Sequence, residues 1–143
     1  MRTVIAGGRN YVMTREDFEM KEIPIVSGSL TTLVEYVHCA NFKWWHDIDN
    51  GEPITRNKGE LIALLHSELS EMLEGVRKDT MDDHLPHRKT EEVEAADVLI
   101  RLLDYCGGMG LDLEGAFYEK MDYNRTRADH SNEERRKAHG KKF

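Results

Sequence analysis

The chain reads as an all-α protein, a four-helix-bundle-like array with a short extended arm at its N-terminus. Three observations predict this. From Ser29 onward apolar residues recur at three- and four-residue steps, the period of one helix face. Short polar links carrying Gly, Pro or Asp separate these stretches, as in antiparallel bundles. No alternating strand–helix series follows the single strand-like opening. The 143 residues suffice for one domain that buries about two-thirds of its extended surface.

Residues 1–28 differ from the rest. Arg2 to Gly8 reads as a short strand entering a glycine turn, and Ile23 to Val26 as a second extended piece. Gly7-Gly8 alone does not make a phosphate-cradling loop, so this segment is expected to be an ordered arm or an edge strand. Ser29 is the expected N-cap of a first helix through Leu30, Leu33, Val34, Val37, Asn41 and Trp44, and Asn50-Gly51-Glu52-Pro53 breaks that pattern. A second helix runs from about Lys58 to Lys78. A polar link, Asp79 to Lys89, carries Pro86. Thr90 is then expected to cap a third helix that opens with Glu91, Glu92 and Glu94, where the helix dipole favours anions. Gly107-Gly108 is its expected stop, and Asp112 caps a fourth helix reaching about Arg127. The chain thus divides into an extended arm (1–28), a helical domain (29–130) and a basic tail (131–143).

Composition narrows the function. Of 20 basic and 27 acidic residues, seven and three lie from Arg125 onward, so that C-terminal segment is +4 and residues 1–124 are −11. A net charge of −7 argues against bulk binding to nucleic acid or to an anionic membrane surface. No apolar run approaches the roughly 18 residues that span a bilayer, and the N-terminus has no signal-peptide core. Cys39 and Cys106 do not make a disulfide framework and are expected to be core thiols. The expectation is a cytoplasmic protein.

The acids of the body are not all solvated. On a helical wheel with Leu61 at zero, Glu68 falls near 340°, inside an arc that holds Leu64, Leu65, Met72 and Val76, and Glu71 falls near 280°, at its edge. A buried carboxylate wants a cation or a proton. The third helix repeats the pattern, with Glu94, Asp97, Arg101 and Asp104 in one polar stripe on an otherwise apolar helix. Two pairs one turn apart, Glu68/Glu71 and Glu94/Asp97, would concentrate four carboxylates between antiparallel helices. Such an all-oxygen set suits Mg²⁺ or Mn²⁺. The bland alternative is an ion-pair network in which Arg101 and Lys120 neutralise the acids.

Lys120, Asn124 and Arg127 stand at i, i+4 and i+7 of the fourth helix, where two cations and an amide could hold phosphate oxygens. Phe42, Trp44 and Trp45 cluster near the end of the first helix. Trp45 fits the apolar stripe less well than Trp44, so it is the candidate to stack on a base, with His46 nearby.

In these residues the sequence resembles the MazG-like all-α nucleoside triphosphate pyrophosphatases, whose relatives include dimeric dUTPases and helical dCTP pyrophosphatases. The resemblance covers about residues 29–130. It rests on Glu68-x-x-Glu71, a 22-residue gap, Glu94-x-x-Asp97, and then Lys120-x-x-x-Asn124-x-x-Arg127. It implies Mg²⁺-dependent hydrolysis of an NTP or dNTP to the monophosphate and pyrophosphate by a homodimer or homotetramer whose sites are built partly from a neighbouring subunit. By that analogy Glu68, Glu71, Glu94 and Asp97 hold the metal, while Lys120, Asn124 and Arg127 bind phosphates. Glu68 is the preferred acceptor for the proton of the attacking water, and Lys120 and Arg127 would offset charge on the leaving pyrophosphate. The stretch Asp82 to His87 and residues 1–28 stand outside the family motif.

Competing signals are weaker. His84-x-x-His87 beside Asp83 could bind zinc, but has no cysteine near it. Glu35-x-x-His38 is half of a di-iron ligand set without its second half. His46-Asp47 is reminiscent of the helical His-Asp phosphohydrolases. A non-catalytic nucleotide-binding or assembly protein on the same bundle is the further alternative.

Overall fold

A computed structural model of the chain describes residues 2–6, 9–13 and 30–141, the two strands and residues 125, 126 and 130 by their backbone alone. The fold is all-α, with a small hairpin at the start. The elements are β1 (Arg2–Ala6), β2 (Arg9–Met13), α1 (Leu30–Ala40), a 3₁₀ turn (Phe42–Trp44), α2 (Lys58–Lys78), α3 (Thr90–Met109), α4 (Leu113–Thr126), a second 3₁₀ turn (Ala128–His130) and α5 (Asn132–Arg136). They form two compact units, Met1–Leu111 and Asp112–Phe143. The helical domain expected over 29–130 therefore contributes to both units.

In the first unit β1 and β2 pair antiparallel, from Arg2 opposite Met13 to Ala6 opposite Arg9. The expected first strand is present, with a partner the sequence reading did not assign. Ser29 and the extended piece at Ile23–Val26 lie outside the described residues.

The helices α2 and α3 run antiparallel and α1 packs on α3, which makes α3 the shared element. The bounds of α2 follow its sequence signals. Asn57 caps it by accepting from Glu60 N–H at 3.1 Å, and Asp79 closes it at φ 50°, a left-handed conformation that aspartate tolerates. Thr90 lies inside α3 as its first residue, and Glu92 Oε2 accepts from Lys89 N–H at 3.3 Å instead. The core comprises Val34, Val37, Cys39, Trp45, Leu103 and Cys106, with Leu103 only 1% exposed. Both cysteines are buried free thiols.

Gly107-Gly108 does not stop α3, which continues to Met109 and ends at Gly110, φ 65°. The two glycines are there for packing. A Cβ on Gly107 would stand 2.5 Å from His38 Cβ, and one on Gly108 would stand 2.1 Å from Trp45 Cη2. The last turns of α3 thus admit the side chains of α1 and the turn after it.

The α2–α3 pair leaves part of its apolar surface open. Ile62, Leu69, Leu73 and Val76 share about 60° of α2 and are all exposed. Leu99 and Leu102 make a matching exposed stripe on α3. Because the helices are antiparallel, both stripes fall on the same side of the pair.

In the second unit Asp112 Oδ1 accepts from Gly115 N–H at 2.8 Å and caps α4 as the sequence predicts. α4 ends at Thr126, so Arg127 is an extended cap residue and not a member of the helical face with Lys120 and Asn124. The basic tail opens with α5, capped by Ser131 Oγ accepting from Glu134 N–H at 3.2 Å. No helix among the described residues is long and apolar enough to cross a membrane.

Gly108→Ala forces Trp45 out of its seat, and overpacking of this kind costs about 1–3 kcal/mol. Urea denaturation is expected to show a loss of that size together with altered indole fluorescence. An unchanged midpoint and spectrum would mean the indole is not seated on Gly108.

Candidate functional site

Glu68 on α2 and Glu94 on α3 are buried in the helix contact, 7% and 8% exposed. Asp97, one turn after Glu94, is half-buried. One oxygen from each of the three lies within 4.8 Å of the others. The wheel explains the gathering, since Glu68 occupies the face of α2 that meets α3 and the i, i+3 spacing aims Glu94 and Asp97 back at it. Arg101, one turn further along α3, donates from Nε to Glu68 Oε1 at 2.5 Å.

Three carboxylates and one guanidinium leave a surplus of negative charge in a poorly solvated place. Glu94 is accordingly held above the ordinary carboxylate range, first by burial and then by the charges of Glu71, Glu68 and Asp97 and by a hydrogen bond with Glu68. Asp97 is raised as well, by burial first and then by Glu68; Arg101 opposes the shift and Asp82 adds to it. Such a cluster takes up a proton or a cation. The oxygens suit a hard divalent ion. Mg²⁺–oxygen bonds of ~2.0–2.1 Å in an octahedron set ligand oxygens roughly 3–4 Å apart, which small side-chain rotations of these three would reach.

Glu71 stands outside this triad. It is exposed, yet it is the foremost charge acting on Glu94. Together with Glu94, Asp82, Asp83 and His84 it lines a groove of about 430 Å³. Asp82 is a residue the sequence reading passed over. It is buried, and its Oδ1 accepts from His84 and Leu85 N–H at 2.9 and 2.6 Å, which turns the 79–89 link against the acidic site.

On the other side of Asp97 lies a cavity of about 480 Å³. Leu61, Leu64, Ile100 and Tyr105 give it apolar walls, Asn41 and Trp44 line it near the end of α1, and Asp97 and Arg101 join it to the triad. The indole here belongs to Trp44, which is 57% exposed, and not to Trp45, which is 8% exposed. Trp45 is held by the fold. Its Nε1–H donates to both oxygens of Asp104, at 2.9 and 3.1 Å, and its ring fills the space at Gly108. The expectation that Trp45 stacks on a base is corrected accordingly, with Trp44 as the available ring. Arg56 fixes that position by donating from Nη1 to the Trp44 carbonyl at 2.7 Å.

Asp104, the last residue of the polar stripe, also pairs with His38 Nδ1 at 2.8 Å. That bond uses the histidine of the half di-iron pattern. His46 stacks on Phe42 and bonds its carbonyl at 3.0 Å, while Asp47 Oδ1 accepts from Asp49 and Asn50 N–H in a tight loop. The His-Asp dipeptide is thus used locally. Among the described residues the one group of three or more possible ligands is Glu68, Glu94 and Asp97, so His84 and His87 form no zinc set.

Lys120, Asn124 and Arg127 belong to the second unit. Lys120 Nζ lies 4.6 Å from the centroid of the Tyr123 ring and the Arg127 guanidinium 5.8 Å from it, so the two cations flank one aromatic ring. Arg127 also pairs with Asp129. Asn124 Oδ1 is buried without a hydrogen-bond partner among the described residues. No family model, curated protein or solved structure matches the chain.

The raised carboxyls give a signed pH dependence. Between the ordinary carboxyl range and the raised one, the folded protein holds protons that the unfolded chain has lost, so stability falls as pH rises through that window. Chelator-treated Glu94→Gln is therefore expected to melt a few degrees above the parent protein near neutral pH. In acid below the ordinary carboxyl range the two should converge. A lower melting temperature for Glu94→Gln at neutral pH would contradict the electrostatics.

Proposed function

We propose that the chain is a nucleotide pyrophosphohydrolase that depends on Mg²⁺, with Mn²⁺ as a substitute, and cleaves an NTP or dNTP to the monophosphate and pyrophosphate in the cytoplasm. The observation that carries this reading is the juxtaposition, along one helix, of the Glu68/Glu94/Asp97 triad and a nucleotide-sized cavity with an exposed indole in its wall. The cavity's volume lies within the range of small-molecule sites, about 300–1,000 Å³. The sequence motif supports the same reading independently.

A divalent ion supplies neutralisation of phosphate charge and activation of a water. The chain's own groups supply the remainder. Trp44 and the apolar walls take the base and sugar, a stack worth about 1–3 kcal/mol. Glu68 accepts the proton of the water that attacks the α-phosphorus, and the bond to the β-phosphate oxygen breaks, so pyrophosphate leaves. Lys120, Asn124 and Arg127 are assigned to phosphate oxygens on the motif. Glu71 completes the acidic set from its exposed side.

The proposal includes association into a homodimer or homotetramer. Ile62, Leu69, Leu73, Val76, Leu99 and Leu102 form an apolar surface of the kind that subunits cover. Sedimentation of the full chain is expected to show an oligomer that the double variant Leu69→Glu/Leu99→Glu reduces to monomer. A monomeric parent chain would remove this part of the reading.

The activity is tested by pyrophosphate release over all NTPs and dNTPs with Mg²⁺ and Mn²⁺. One or more nucleotides should turn over, and Asp97→Asn or Glu71→Gln should lower kcat/KM by ~10²-fold or more, since even outer-shell partners of a metal cost ~10–100-fold. Metal-dependent nucleotide binding without turnover would favour the binding protein, and inorganic phosphate as the product would favour a different phosphohydrolase.

A further inference from the structure

Among the described residues Arg101 makes the one ion pair to the acidic triad, through Nε to Glu68 Oε1. Its side chain is 41% exposed and lines the cavity beside Asp97 and Trp44. The bond to Glu68 uses Nε, and no hydrogen bond engages Nη1 or Nη2 among the described residues. A guanidinium that gives one of its five donors to the carboxylate cluster, on a residue that also lines the nucleotide-sized cavity, is placed to serve either side.

We infer that Arg101 is a substrate-binding residue that exchanges partners, holding Glu68 in the metal-free protein and a nucleotide phosphate oxygen once a divalent ion occupies the triad. The inference rests on the metal-dependent nucleotide reading above. Its physical basis is competition. Glu68 is nearly out of solvent, so its charge needs a cation, and Arg101 is the cation paired with it in the structure. Glu68, Glu94 and Asp97 would hold a divalent ion through their oxygens, and its charge there would release Arg101 from Glu68. A released guanidinium favours a bidentate anion, and the anion that enters the adjoining cavity is a phosphate. Metal without nucleotide therefore binds against Arg101, whereas nucleotide gives Arg101 its alternative partner. The two ligands become coupled, each tightening the other.

The test uses the full-length chain and Mn²⁺ as probe, followed by electron paramagnetic resonance of the free ion, for the parent, Arg101→Gln, Arg101→Lys and Asp97→Asn. Arg101→Gln removes the competitor and should bind Mn²⁺ about 5- to 100-fold more tightly, the range of ordinary coupling between sites. Arg101→Lys keeps a competing charge and should bind Mn²⁺ like the parent. Calorimetric titration of inorganic pyrophosphate into each Mn²⁺-saturated protein should then show weaker binding by both Arg101 variants. Equal or weaker Mn²⁺ binding by Arg101→Gln, with Asp97→Asn abolishing it, would overturn the exchange and leave the metal site standing. No Mn²⁺ binding by the parent or by Arg101→Gln would overturn the metal reading and the exchange together. Melting curves of the four proteins separate these outcomes from misfolding.

Discussion

The structure depends on Glu68, a carboxylate at the face of α2 that meets α3. That position would hold leucine in an ordinary bundle. An acid there weakens the contact unless a cation offsets it, because desolvation of a lone carboxylate costs several kcal/mol. Arg101 supplies one charge, but Glu94 and Asp97 face the same spot, and the site stays negative. The raised carboxyls of Glu94 and Asp97 express that imbalance. A helix pair arranged in this way gives up stability in its own interior. A divalent ion held by these oxygens would offset that loss, since it would stabilise the folded chain.

The two ends of α3 do different work. Its first half bears Glu94, Asp97 and Arg101 against α2. Its last turns bear Asp104, Gly107 and Gly108 against α1, where they hold His38 and Trp45. The cavity lies between these regions, and Trp44 reaches it because Trp45, its neighbour in sequence, is anchored beneath. Seating of Trp45 on Gly108 thus positions the neighbouring exposed indole, and the bond from Arg56 to the Trp44 carbonyl holds that residue as well. The acidic site and the cavity are set by one helix, so a nucleotide in one and an ion in the other would share α3.

Much of this was legible in the residues. The span of α2 followed from its apolar period, and Asp112 was recognisable as a cap because its side chain satisfies a free N–H one turn ahead. Glu68 stands out as an acid within the apolar arc of α2, and Glu94 and Asp97 as part of a narrow polar stripe on an otherwise apolar helix. The tryptophans did not come out correctly. An α-helical wheel drawn through Trp44 places that ring in the apolar stripe, but α1 ends at Ala40 and a 3₁₀ turn follows, with about 120° per residue, and Trp45 is the ring that is buried. Gly107-Gly108 looked like a stop, because glycine ends helices and also permits close approach, and only the packing of His38 and Trp45 decides between those roles. Asp82 was hidden in a polar link, where nothing in composition separates a buried aspartate from a solvated one. The hairpin partner Arg9–Met13 was missed because its alternation is weak.

If Glu68, Glu94 and Asp97 hold a divalent ion, its binding should compete with protons at Glu94 and Asp97, whose carboxyls are raised above the ordinary range. Calorimetric titration of Mg²⁺ into the full chain, in mildly acidic buffers of different ionisation enthalpy, tests it most directly. Saturable binding with release of protons is expected, a release that grows as the pH is lowered and shrinks in Glu94→Gln, because a bound ion would displace protons from raised carboxyls. Absence of saturable binding, or binding with the same proton count in Glu94→Gln, would contradict it.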